Sequence, residues 1–122
     1  MSSIPPEINR EMRGHTFYPT EADSIPPLYA QDSKGKDAIA YVHYFGPALD
    51  AYVTEYDPKT GEAFGWVMLN NDLPNAELGY IDLPAYESYS YKAIWPFAER
   101  DLHFDPKPLR ECIAEVERRF GA

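Results

Sequence analysis

Glu99, Asp101 and His103 stand two residues apart in the run Glu99-Arg100-Asp101-Leu102-His103-Phe104-Asp105-Pro106. In an extended strand this spacing places all three side chains on one face. A carboxylate beside an imidazole favours the charged ring, or orients the ring as a base or metal ligand. Such a face lining a cleft would suit a small hydrolase or a small-molecule binder. The plainer alternative is a polar strand edge turned to solvent, and it is preferred here. Two-residue spacing on one strand is a weak metal pattern, so no metal and no cofactor is expected. His15 belongs to a polar N-terminal stretch. His43 sits in an apolar strand and reads as a hydrogen-bonded core residue.

The opposite face of the same strand carries Ala98, Arg100, Leu102 and Phe104. Arg100 therefore lies among apolar neighbours, as Glu55 does beside Ala51 and Val53. The two are expected to form a partly buried ion pair, since a guanidinium holds a carboxylate with two parallel hydrogen bonds. The alternative is an arginine that anchors a substrate.

Tyr86, Tyr89, Tyr91 and Trp95 crowd one segment, Tyr86-Glu87-Ser88-Tyr89-Ser90-Tyr91-Lys92-Ala93-Ile94-Trp95. Tyrosine combines apolar area with a polar tip at small entropic cost, which makes it common at protein interfaces. The segment is the candidate partner-binding surface. The competing reading has Trp95 and one tyrosine plugging the sheet edge. Stacking on single-stranded nucleic acid would need a basic groove, and only Lys92 accompanies these rings. Signatures of established catalysis are missing: no Gly-rich phosphate loop, no cysteine pair, no His-Glu-x-x-His and no nucleophile elbow. Cys112 falls on an apolar helical stripe and reads as a small core hydrophobe.

The chain of 122 residues has the size of one domain. Its net charge is -9. That charge repels phosphate backbones and anionic membranes, and it favours a basic protein partner. No apolar run has the length of a membrane span. The N-terminus lacks the pattern of a signal peptide, and a lone cysteine fits a reducing compartment, so a cytoplasmic protein is expected. A monomer or weak dimer is expected.

The elements that must position these residues follow from periodicity. Residues 1–24 read as an irregular arm with a short helix over Pro6–Met12, and residues 25–122 as one domain. Residues 38–45 are apolar on both faces and suit a strand covered on both sides. Strands follow at 50–56 and 63–69, joined by the turn Asp57-Pro58-Lys59-Thr60-Gly61, in which Gly61 supplies a positive φ. A fourth strand covers 77–83. Residues 84–96 read as a loop and 97–104 as extended chain. Leu109, Cys112, Ile113, Val116 and Phe120 form the stripe of a helix over about 108–120. The expected fold is α+β: an antiparallel meander of four to five strands with the C-terminal helix packed on one face.

Pro27-Leu28-Tyr29, the strand 38–45, Thr54-Glu55-Tyr56-Asp57, Phe64-Gly65, Glu77-Leu78-Gly79-Tyr80 and Glu99 to Phe104, with Pro106 and Leu109, occur in an order that resembles the bacterial family known as domain of unknown function 2958. The resemblance covers roughly residues 25–112 and brings no catalytic residue. It implies a passenger of plasmids, integrating elements or phages. It also implies a cytosolic bacterial setting and an accessory role by protein–protein interaction, such as inhibition of a host or defence factor. The chain is more aromatic over Tyr86–Trp95 than the family, and it lacks the family's aromatic cluster after Phe45. An acidic DNA mimic that blocks a nuclease is a further alternative.

Overall fold

The computed structural model describes Glu7, residues 16–92 and residues 95–120. The helix expected over Pro6–Met12, and His15, lie outside the described residues. The fold is α+β. Strands β2 (Val42–Gly46), β3 (Leu49–Tyr56), β4 (Glu62–Leu69) and β5 (Glu77–Asp82) form an antiparallel meander. A short β8 (Glu99–Arg100) joins β2 on its free side, giving the order β5-β4-β3-β2-β8. Two minor pairs flank this sheet. One is β1 (Ile39–Ala40) with β9 (Lys107–Pro108); the other is β6 (Ser90–Tyr91) with β7 (Trp95–Pro96). Among the described residues the α-helices are α1 (Leu83–Ser88) and α2 (Leu109–Arg119).

Strand alternation builds two cores. Tyr52, Trp66 and Met68 face α2 and meet Leu109, Cys112, Ile113 and Val116. Each such buried apolar side chain contributes roughly 1.5–3 kcal/mol. Phe120 ends the expected stripe but is 40% exposed, with Arg119 over its ring. On the other face Val42, Tyr44, Leu49, Ala51 and Val53 pack against Ile81, Leu83, Phe17 and Tyr18. Phe17 is fully buried, and the Tyr44 hydroxyl donates to its carbonyl at 2.7 Å. Residues 16–18, expected in the arm, are thus part of the core. β3, the middle strand, is buried at every position.

Several elements differ from expectation, each for a local reason. The strand 38–45 is divided at Tyr41: Ile39–Ala40 pair with β9 while Val42–Gly46 pair with β3, and between them the Tyr41 N–H donates to the Val53 carbonyl of β3. Residues 84–96 are not one loop. Asp82 caps α1 by accepting from the Ala85 N–H, and Pro84 fits the first turn. The extended run expected over 97–104 stops after Arg100. The Asp101 side chain accepts the His103 N–H, a local bond that competes with strand pairing. Gly61 has φ +81, as its turn requires.

β3 also carries a bulge. Val53 is opposite Gly65, yet Glu55 is opposite Phe64, so Thr54 is the extra residue. Beyond such a bulge the side chains change face. Tyr56 therefore joins the core that holds Val53, and Glu55 is carried to the other side.

Candidate functional site

His43 is the centre of a polar cluster. Its position opposite Tyr52 stacks the two rings, with centroids 4.2 Å apart and planes 4° from parallel. Its Nε2 lies 2.9 Å from Asp50 Oδ1, and its Nδ1 lies 2.9 Å from Asp101 Oδ2. Arg119, from the last turn of α2, donates to the same Asp50 oxygen at 3.2 Å. The Asp101 N–H donates to the His43 carbonyl, so backbone and side chain clamp the turn together. His43 and Asp50 are buried. A neutral imidazole has one donor and one acceptor, whereas here both nitrogens face carboxylates. Each ring nitrogen thus sits within hydrogen-bonding distance of a carboxylate, and Arg119 brings a further cation to Asp50.

The cluster forms one side of a cleft of about 450 Å³ that is also lined by His103, Phe104, Lys107 and Glu115. Of the three acid and histidine residues singled out in the sequence, Asp101 and His103 reach this cleft. Glu99 does not line it; it pairs with Phe45 at the sheet edge. The members that spacing alone missed are His43 and Asp50. Their sequence signal was two polar residues on faces that otherwise carry core aromatics. Both His43 nitrogens are engaged by carboxylates. Among the described residues, no group of three His, Cys, Asp or Glu side chains is arranged to hold a metal ion.

Burial alone would raise the Asp101 carboxyl, but hydrogen bonds from His43 and the His103 N–H, with the nearby imidazoles, hold it below its ordinary 3.8. A depressed carboxyl contributes stability above its unfolded value, and that contribution is lost as pH falls through the folded value. The melting temperature is therefore expected to drop below about pH 4. Asp101→Asn should flatten this acid limb in thermal melts run from pH 5 to pH 2. Parallel limbs in the two proteins would show that Asp101 does not contribute.

Cys112 lies on the buried stripe of α2, where desolvation pushes its thiol up to about 12 despite the nearby Lys107. The thiolate is the reactive form. Native protein at pH 8 should consume iodoacetamide far more slowly than unfolded protein, by two orders of magnitude or so. Equal rates would place the thiol at the surface.

Glu55 and Arg100 do not pair with each other. The bulge at Thr54 turns Glu55 away from the face that Arg100 shares with Tyr44. Glu55 instead accepts the N–H groups of Tyr29 and Gln31, both at 2.7 Å, and so fixes the turns over 27–34. Arg100 forms an ion pair with Asp23 and donates to the Tyr18 carbonyl, tying the N-terminal segment to the sheet.

The tyrosine segment divides. Tyr86, on α1, is half-buried against Phe97, and burial raises its hydroxyl. Tyr89 also meets Phe97 edge-on, at 5.6 Å, yet is 52% exposed. Tyr91 pairs with Trp95 in the β6–β7 register, and Trp95 is 57% exposed. Trp95 therefore does not plug the sheet edge. No known protein family, curated protein or solved structure matches the chain.

Proposed function

We propose that this protein is a non-enzymatic interaction module whose contact surface is the aromatic side of the β6–β7 hairpin. The observation that carries the reading is the exposure of Trp95 and Tyr89 beside the half-buried Phe97. Large rings on a braced support give contact area with little ordering cost. α1 supplies the brace, because Leu83 is in the core and Tyr86 packs on Phe97. The net charge of -9 favours a basic partner and speeds its approach at low salt. The resemblance described above supplies a setting: an accessory protein of a mobile element or phage that occupies a host or defence factor. The hydrolase alternative loses support, since Glu99 does not line the cleft and both His43 nitrogens are engaged by carboxylates.

The double variant Tyr89→Ala with Trp95→Ala tests this. Affinity capture from bacterial lysate, read by mass spectrometry, should lose its specific partner, about a hundredfold in yield. Circular dichroism and melting temperature should stay near those of the parent. Unchanged capture by the folded double variant would reject the hairpin as the contact surface.

A further inference from the structure

β5 is the open edge of the sheet. It pairs with β4, and among the described residues nothing pairs with its other side. Alternate residues of such an edge direct their N–H and C=O groups outward, which makes it a template for another strand. Natural edges are usually blunted by proline, lysine, a bulge or shortness. β5 has no proline, lysine or bulge and is not short, and its charged side chains, Glu77 and Asp82, stand at its two ends. It keeps regular register with β4 over six consecutive pairs, a length of roughly 20 Å.

The two faces beside this edge differ in chemistry. Leu78 and Tyr80, opposite Trp66 and Phe64, are 38% and 54% exposed. Tyr80 packs edge-on against Phe64, and its hydroxyl donates to that of Tyr29 at 3.1 Å. This face offers apolar contact. On the other face Gly79 lies opposite Gly65, and a Cβ built on Gly79 meets nothing within 4 Å. A cleft of about 320 Å³ lies here; apolar Val67, Leu69 and Tyr86 and acidic Asp72 and Glu77 line it, together with Asn70, Asn75 and Tyr80. Among the described residues no basic side chain lines it. That combination suits a long cationic side chain, with its stem on the apolar residues and its head at the acids.

Charge also selects between occupants. Both ends of β5, Glu77 and Asp82, are acidic, and Glu62 lies opposite Asp82. A second copy of β5 would bring two further carboxylates, its own Glu77 and Asp82, to this already acidic edge, and like charges repel. A basic strand would meet opposite charge instead.

We propose that β5 accepts an extended segment of a partner protein in which arginine or lysine alternates with apolar residues. The apolar residues cover Leu78 and Tyr80, and the basic ones enter the cleft beside Gly79. Backbone pairing supplies affinity and the alternate pockets supply specificity. The inference rests on the partner-binding reading and names the partner's chemistry. Tyr86 connects the two surfaces, since it lines the cleft and also packs on Phe97 beside the hairpin.

The probe is a synthetic peptide of eight residues in which arginine alternates with valine, added to the full chain. Backbone amide shifts should be largest over residues 77–82 and at Leu69 and Tyr86. Affinity should fall about tenfold or more in Glu77→Lys, with alternate N-methylation of the peptide, and with added salt. Gly79→Leu, which fills the cleft, should weaken binding while its circular dichroism matches the parent. Shifts confined to the hairpin or to the His43 cleft would overturn the proposal. So would equal binding of a glutamate–valine peptide, or concentration-dependent self-pairing of β5 without peptide. The two readings fail separately. Peptide failure at β5 with hairpin-dependent capture intact sinks only the strand docking. Binding at β5 with capture indifferent to Tyr89→Ala and Trp95→Ala sinks only the hairpin.

Discussion

His43→Phe is expected to destabilise the protein by about 3–5 kcal/mol, because it removes one partner from a buried charged network. Phenylalanine keeps a ring on Tyr52, so lost packing is a small part of the effect. What it removes is both ring nitrogens, each in contact with a carboxylate. Asp50 is only 3% exposed and would keep a single bond from Arg119. Asp101 would lose its link to β2 through the ring. In a domain of this size the change corresponds to roughly 10–20 °C in melting temperature. Adding Asp50→Asn to His43→Phe removes the orphaned charge and should recover part of the loss. Urea denaturation of the parent, the single and the double variant measures both steps. A single variant within about 0.5 kcal/mol of the parent would show that the network is not structural.

The second large effect concerns backbone rather than charge. A Cβ on Gly65 would sit 1.8 Å from the Tyr52 carbonyl oxygen and 2.8 Å from its carbon. Neither atom can rotate aside, as a flexible side chain could. Gly65→Ala must therefore push β3 and β4 apart beside the Thr54 bulge. A cost of about 3 kcal/mol or more is expected, at the upper end for overpacking. Gly79, directly opposite on β5, is the internal control. Its Cβ would meet open space, so Gly79→Ala should be neutral or stabilise by about 0.5–1 kcal/mol. Paired denaturation curves decide the matter. Equal midpoints for the two alanine variants would falsify the close approach at Gly65.

The strands of the meander and the apolar stripe of α2 were legible because each rests on a period that few residues can disguise. The failures have equally local causes. The alternation read along Ala51, Val53 and Glu55 is correct until Thr54, where one unpaired residue reverses it. Nothing in Thr54-Glu55-Tyr56 announces a bulge, and the error propagated into the Glu55–Arg100 pairing. Asp101 stops its strand through a bond to the His103 N–H that a count of apolar residues does not register. Phe17 and Tyr18 looked peripheral because the prolines and polar residues around them carry no period, yet both are buried. At the candidate site, Asp101 and His103 both line the cleft, but from a turn after β8 and not from the strand their spacing implied. His43 and Asp50 join them only through the pairing of β2 with β3.

The order in which surfaces are covered has a consequence for synthesis of the chain. The meander is complete at Asp82, but the face holding Tyr52, Trp66 and Met68 is covered by α2, whose last residue is Arg119. β9, which pairs with β1, is equally late in the sequence. On a ribosome that adds residues one at a time, the nascent sheet therefore waits several seconds with one aromatic face bare. Until α2 emerges, that face is a natural target for a holdase chaperone.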